Sequence, residues 1–154
     1  MFSIHPARFP QDNARVLAIF REYISSAPVS LDYQQNEQEF ADLEGKYSLP
    51  NGVVLLIWKG NEIVGCGAFR RVDENVCEMK RVYIRPTERG HRLGEKLITA
   101  LMSCAKENGY QRMCLDVLAD FETARRLYVR LGFEPCDPVN YNPIPGTHFL
   151  GCDL

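Results

Sequence analysis

The residues whose types and spacing suggest chemistry lie between Met79 and Ala105, where a strand pattern changes into a helix pattern. Pro86 ends the strand, because proline lacks a backbone N–H and biases the preceding residue towards extended geometry. A basic turn containing two glycines follows, and the helix after it carries apolar residues at four-residue spacing. A helix N-terminus presents unpaired N–H groups and a partial positive charge. The turn therefore predicts a site for a diphosphate group.

Six residues make up this predicted phosphate-binding turn: Arg89, Gly90, His91, Arg92, Leu93 and Gly94. The glycines let a ligand approach the backbone closely, and the cationic side chains add charge and donors. The chain has no G-x-G-x-x-G after a strand and no G-x-x-x-x-G-K-[ST], which argues against a dinucleotide or a nucleoside triphosphate. An ordinary basic loop before a core helix is the alternative interpretation of the same residues.

Length and composition indicate one globular domain over residues 1–154. The net charge of −2 does not favour nucleic acid or an anionic membrane as a partner. The longest apolar run, Val53 to Trp58, is too short to span a bilayer, and the N-terminus lacks a secretory pattern. We therefore expect a cytoplasmic protein that does not bind membranes.

Cysteines and histidines give no metal-binding pattern. None of the six cysteines forms a C-x-x-C pair, and several lie inside apolar patterns, which predicts free, buried thiols in a reducing compartment. The three histidines are scattered without metal-ligand spacing, so we expect no metal.

Apolar periodicity predicts an alternation of strands and helices along the chain. The predicted strands are Phe2–His5, Val53–Trp58, Ile63–Arg70, Val76–Ile84, Met113–Leu118 and Thr147–Asp153. The predicted helices run from Pro10 to Pro28, from Tyr33 to Tyr47, from Leu93 to about Ala105 and from Phe121 to Leu131. The strands on either side of the third helix should be parallel, because a helix joins them.

Two further features of these elements bear on function. Gly65 and Gly67 inside a strand suggest a bulge or a closely approaching group. Acidic residues along the second helix form either a solvated face or a surface that meets a cationic substrate; they are Glu37, Glu39, Asp42 and Glu44.

The turn and two neighbouring segments resemble the GNAT superfamily of acetyl-CoA-dependent N-acetyltransferases. The segments that carry the resemblance are Glu78–Pro86, Arg89–Gly94 and Ala124–Phe133. Tyr141–Thr147 is similar to the tail of one bacterial subgroup of small stand-alone members. The family's phosphate loop is R/Q-x-x-G-x-G/A, and this chain matches both ends of it but has Arg92 in place of the middle glycine.

The resemblance implies an α/β fold with a mixed, mostly antiparallel central sheet and helices on both faces. Two parallel strands, Val76–Ile84 and Met113–Leu118, would splay apart, and the pantetheine arm of the coenzyme would lie in the gap. Backbone groups of Val82 and Ile84 would pair with its amides, with Tyr83 between them. The N–H of Val82 would face the acetyl oxygen and stabilise the developing oxyanion.

The resemblance also implies two catalytic residues. Tyr128 matches the family's tyrosine that protonates the departing thiolate, although it could instead be a core aromatic residue. Glu78 resembles the carboxylate that some members use as a general base, although it could instead pair with Lys80, Arg81 or Arg70. Towards the acceptor, Asp116 interrupts an apolar strand and Tyr141 lies in the variable tail.

The implied function is direct transfer of an acetyl group from acetyl-CoA to a primary amine of a small molecule or a peptide. A GNAT-fold module that binds acyl-CoA without turnover is the alternative, and a nucleotide-binding regulator is disfavoured because no basic recognition helix is present. The acidic second helix hints at a cationic acceptor such as a polyamine, an aminoglycoside, an amino acid or a peptide N-terminus. Dimers are frequent in the family, so a homodimer is also expected as one outcome.

Overall fold

The computed structural model describes residues 1–31 and 35–154. Seven strands and five helices follow one another in this part of the chain: β1 (Phe2–Pro6), α1 (Asn13–Ser26), α2 (Asn36–Ala41), α3 (Leu43–Lys46), β2 (Val53–Lys59), β3 (Glu62–Arg71), β4 (Val76–Ile84), α4 (Leu93–Glu107), β5 (Arg112–Val117), α5 (Glu122–Arg130), β6 (Glu134–Pro135) and β7 (His148–Asp153). A single 3-10 turn, Pro86–Glu88, separates β4 from the basic loop before α4.

The strands form one mixed sheet in the order β1-β2-β3-β4-β5-β7-β6. Within the described residues β4 and β5 are the one parallel pair, and every other neighbouring pair is antiparallel. The parallel pair is the one that α4 connects, because a helical crossover returns the chain to the same end of the sheet. The predicted fold class is confirmed.

Helices cover both faces of the sheet, and each face has its own apolar cluster. On one face α4 contributes the predicted stripe at four-residue spacing, which is buried against strands β2 to β5; its members are Leu93, Leu97, Leu101 and Ala105. On the other face α1, α2 and α3 pack on the central strands through Val16, Phe20, Phe40, Leu43 and Tyr47. The central strands therefore contribute apolar side chains to both clusters, which matches their nearly continuous burial.

The second predicted helix is in fact two short helices. Its predicted start, Tyr33, lies outside the described residues, and α2 ends at Ala41. Asp42 then takes an extended φ of −146° and accepts a hydrogen bond from the N–H of Gly45 at 3.1 Å. An aspartate side chain competes with the backbone for such donors, so it ends one helix and caps the next. The prediction of a continuous helix to Tyr47 is wrong for this reason.

The sequence also missed β6, which pairs two residues with β7. Two residues are too few to show an alternating pattern, so this edge pairing had no periodic signal.

The predicted glycine bulge lies between β3 and β4. Their register shifts between Cys66 and Ala68, and opposite the shift Arg81 has a left-handed φ of 60°. A bulge adds one residue to a strand and bends it. Pairing of β4 with β5 extends only from Val76 to Glu78 in the described chain. Beyond that point the two strands separate and leave a gap.

All six cysteines are free thiols, and four of them are buried. No helix within residues 1–31 and 35–154 is long and apolar enough to cross a membrane.

Candidate active site

A groove of about 830 Å³ runs from the basic turn along the end of β4 to α5. Most of the residues predicted to hold a coenzyme line it, and so does the predicted proton donor: Val82, Tyr83, Ile84, Arg89, Gly90, Arg92, Leu93, Gly94 and Tyr128. The structure therefore brings together residues that are up to 46 positions apart, Val82 and Tyr128 being the outermost.

The turn before α4 leaves its backbone donors open towards the groove. Gly90 has a φ of 94° and Arg92, the N-cap residue of α4, has a φ of 58°. No side chain caps this helix N-terminus. An uncapped helix N-terminus with left-handed residues around it presents N–H groups to an anion. The exposed Arg89 and Arg92 add two positive charges at the same place.

His91, the remaining residue of the predicted loop, lies outside the groove, beside β1. Its ring contacts Phe2 of β1, with ring centroids 5.1 Å apart, and it is not part of the groove lining. Its predicted contact with the coenzyme stays a prediction.

The edge of β4 that faces the gap has no partner on β5 beyond Glu78, and Nε of Arg89 donates to the carbonyl of Ile84 on this edge at 3.3 Å. The N–H of Arg85 donates to the carbonyl of Val64 on β3 at 2.9 Å. Because successive N–H groups of a strand point to opposite edges, those of Ile84 and Val82 point towards the gap. This edge can pair with the amides of an extended ligand as if that ligand were another strand.

Ion pairs hold α1 against the end of β4. Glu22 accepts hydrogen bonds from Arg85 and from the hydroxyl of Tyr83 at 2.8 Å. The Arg85 guanidinium lowers the pKa of the Glu22 carboxyl, and the Tyr83 hydroxyl adds to that effect. Burial and this carboxylate raise the pKa of Tyr83 to about 12. The side chain of Tyr83 therefore fixes the strand edge while its backbone stays available.

A second, smaller pocket of about 90 Å³ adjoins the groove between β4 and β5. Both cavities are lined by Val82, Phe121, Ala124, Tyr23 and Tyr128, so the tyrosine of α5 lies where they meet. Burial raises the pKa of the Tyr128 hydroxyl above its ordinary value, and the neighbouring Tyr23 and Asp116 raise it further. Tyr128 is therefore protonated at neutral pH and can donate a proton at this junction.

Glu78 lies on β4 before the strands separate and does not line either cavity. Its side chain is 4% exposed; Oε1 lies 3.2 Å from Nε of Arg70, and Asn140 donates to Oε2 at 3.5 Å. The pairing with Arg70 is one of the alternatives that the sequence left open. Its role as a general base stays a prediction.

The two residues predicted on the acceptor side differ in position. Asp116 lines the small pocket and accepts a hydrogen bond from Asn142 at 2.9 Å. Tyr141 is 70% exposed and lies outside both cavities. The tail therefore contacts the small pocket through Asn142, whose amide donates to Asp116, while Asn140 donates to Glu78 outside both cavities.

Several lining residues were not identified from the sequence. Tyr23 of α1 lines both cavities, and Arg130 of α5 lines the groove with its guanidinium 3.7 Å from Glu95. A helix pattern shows which residues share a face; it does not show that the face borders a cleft. The described residues contain no group of three or more His, Cys, Asp or Glu side chains that could hold a metal ion.

Comparison with known proteins agrees with this arrangement. The sequence profile described as the Acetyltransferase (GNAT) family matches residues 16–133. An uncharacterized N-acetyltransferase of Schizosaccharomyces pombe is 32% identical, over 99% of this chain and 94% of the relative. An acetyltransferase structure from Streptococcus agalactiae has a TM-score of 0.81 at 22% identity and covers 99% of this chain and 98% of its own. A GNAT acetyltransferase from Elizabethkingia anophelis was solved with acetyl-CoA bound. Its TM-score is 0.65 at 18% identity, and the match covers 99% of this chain and 98% of that protein. Since the profile spans most of the chain and the relative aligns over nearly all of it, the chain belongs to the GNAT family of acetyltransferases.

Proposed function

We propose that this chain transfers the acetyl group of acetyl-CoA directly to a primary amine of a small molecule or a peptide. The observation that carries the proposal is the position of Tyr128, whose side chain lines both the long groove and the small pocket. A coenzyme in the groove would end at this junction, and an acceptor in the pocket would meet it there.

The coenzyme would be held by the chain's own backbone and cations. The N–H groups around Gly90 to Gly94, with Arg89 and Arg92, suit the diphosphate. The open edge of β4 suits the two amides of pantetheine, because backbone groups pair with amides irrespective of side chains. Binding of acetyl-CoA by structural neighbours such as the Elizabethkingia anophelis protein supports this choice of coenzyme.

The reaction needs one bond to form and one to break. The amine nitrogen attacks the thioester carbon, the carbonyl oxygen gains negative charge beside the N–H of Val82, and the carbon–sulfur bond then breaks. The leaving thiolate takes a proton from the hydroxyl of Tyr128, and the amine loses its proton to Glu78 or to water. No acyl-enzyme is required.

A test with purified protein measures thiol release from acetyl-CoA against a panel of primary amines. Release with at least one amine, together with the N-acetylated product by mass spectrometry, would support the proposal. Binding of acetyl-CoA by calorimetry without release to any amine would instead favour the alternative, a module that holds acyl-CoA without turnover. No heat with millimolar CoA or acetyl-CoA would contradict both.

A further inference from the structure

The small pocket beside Tyr128 contains a buried cation that acetyl transfer does not require. Lys80 of β4 lines this pocket, and its side chain is only 6% exposed. An ammonium group that is removed from water is costly unless it is paired, so a buried lysine at a pocket wall needs an explanation.

This ammonium group has an ion pair with Glu39, but no described residue accepts a hydrogen bond from it. Its nearest carboxylate oxygen, Oε1 of Glu39, is 3.9 Å away, which is too far for a hydrogen bond. That carboxylate already accepts two hydrogen bonds from Arg81, at 3.0 and 3.1 Å. Among residues 1–31 and 35–154 the Nζ of Lys80 donates no hydrogen bond, and burial lowers the pKa of this lysine. Three donors are thus left for a ligand in the pocket.

The opposite wall of the pocket carries the opposite charge. Asp116 on β5 lines the same cavity, across the gap from Lys80, and only its Oδ2 accepts a hydrogen bond from a described residue. The pocket therefore presents a cation from one strand, a carboxylate from the next, and the hydroxyl of Tyr128 beside them.

None of the acidic residues that hinted at a cationic acceptor lines the pocket. Glu39 is buried against Arg81, and Glu37 is exposed at the surface within 3.6 Å of Arg21. Neither residue lines the pocket. Of the β4 residues that line the pocket, Lys80 and Arg81 are charged, and both are positive.

We propose that the acceptor is a small amine that also carries a carboxylate, as an α-amino acid does, and that Lys80 binds this carboxylate while the amine faces Tyr128 and Asp116. This inference rests on the proposed function and names its substrate class. Lys80 would then give specificity, since an amine without the carboxylate leaves the N–H donors of the buried ammonium without a hydrogen-bond acceptor.

The first test compares matched acceptors with the unmodified protein. Glycine with glycinamide and L-alanine with L-alaninamide differ only in the group that Lys80 would bind. We expect kcat/KM, corrected for the fraction of neutral amine, to be about 10- to 100-fold higher for each acid than for its amide. Equal rates, or faster transfer to the amides, would overturn the inference and leave acetyl transfer itself intact. Transfer to no amine at all would overturn both.

The second test replaces the lysine. Lys80→Met keeps the length of the side chain and removes a buried charge, so the fold should persist, which a melting curve checks. We expect its acid-to-amide ratio to fall towards one, mainly through a higher KM for the acid. The control is Lys106→Met on the exposed end of α4, which should keep the ratio of the unmodified protein. An acid-to-amide ratio in Lys80→Met equal to that of the unmodified protein would overturn the carboxylate-binding role. This holds also if kcat falls equally for the acid and the amide. If Lys80→Met does not fold, the comparison of matched acceptors decides alone.

Discussion

The hydroxyl of Tyr128 can be removed with little change to packing, because the ring keeps its edge contact with Phe133 at 5.7 Å between centroids. We expect Tyr128→Phe to lower kcat for acetyl transfer by about 10²- to 10⁴-fold, the usual effect of losing a general acid. Thiol release at saturating acetyl-CoA measures it. Tyr110→Phe is the matched control: it removes another buried hydroxyl, which donates to Asn51 at 2.6 Å, away from the groove. Equal rates for Tyr128→Phe and the unmodified protein would assign Tyr128 to the core instead.

Arg92 combines a strained backbone with a charge at the predicted phosphate site. Its φ of 58° costs a non-glycine residue about 1 kcal/mol. The phosphate loop that this turn resembles has a glycine at the same position. We expect Arg92→Gly to raise the free energy of unfolding by about 1 kcal/mol in urea titrations, and to weaken CoA binding roughly fivefold at low salt because the charge is lost.

Arg92→Ala separates the two effects. It removes the charge and keeps the strained position, so it should weaken CoA to the same extent without the gain in stability. Arg92→Gly that binds CoA as well as the unmodified chain would show that only the backbone N–H of this residue matters.

At the scale of single residues, the sequence predicted which residues line the groove better than it predicted the contacts of each side chain. Leu93 to Gly94 and Tyr128 line one groove, as the motifs implied. The sequence offered Arg70 as one of three partners of Glu78 and could not select it, because Arg70 faces Glu78 from β3 across a strand register that the sequence does not define. Lys80 had no sequence signal either, since alternation along β4 cannot show which wall of the sheet contains a pocket.

At the scale of elements, α2 positions the strand that forms the gap. Glu39 of this six-residue helix binds Arg81, whose left-handed backbone lies at the bulge of β4, and both side chains are nearly fully buried. Asn36 of the same helix accepts from Arg81 at 2.9 Å. The bulge and the helix that supports it are therefore one structural unit.

We expect Glu39→Gln to destabilise the fold by about 3–5 kcal/mol, because it leaves a buried guanidinium without its carboxylate. The free energy of unfolding in urea measures this. The matched control is Glu37→Gln in the same helix, whose side chain is 83% exposed and whose loss should cost no more than about 1 kcal/mol. Similar costs for the two variants would show that the buried pair does not hold α2 on β4.

The elements themselves were largely predictable, and their exceptions have local causes. Val76–Ile84 was placed with its bounds, since a nine-residue run between two turn signals leaves little ambiguity. Gly65 and Gly67 predicted a bulge or a closely approaching group, and the strand register shifts between Cys66 and Ala68. An added Cβ would lie 2.8 Å from the Tyr83 carbonyl oxygen at Gly65 and 2.9 Å from Leu101 at Gly67. The break at Asp42 was missed because side-chain capping within an apolar helical pattern leaves the periodicity unchanged.

At the scale of the whole molecule, the sheet is weakest where the ligand is expected to bind. Only Val76, Cys77 and Glu78 of β4 pair with β5, whereas β5 pairs with β7 along its full length. A coenzyme in the gap would contact β4 on one side and α5, the helix that follows β5, on the other. Binding should therefore stabilise the entire domain rather than one loop.

We expect acetyl-CoA at about a hundredfold excess over its dissociation constant to add about 2.7 kcal/mol of stability, because it binds the folded chain and not the unfolded one. For a domain of this size that corresponds to a rise in melting temperature of about 5–10 °C, measured by calorimetry or by thermal shift. Tyr128→Phe should show the same rise, since the hydroxyl acts on the thiolate and not on the diphosphate or pantetheine. An unchanged melting temperature in millimolar acetyl-CoA would contradict a binding site in this gap, and a rise confined to the unmodified chain would contradict the separation of binding from proton transfer.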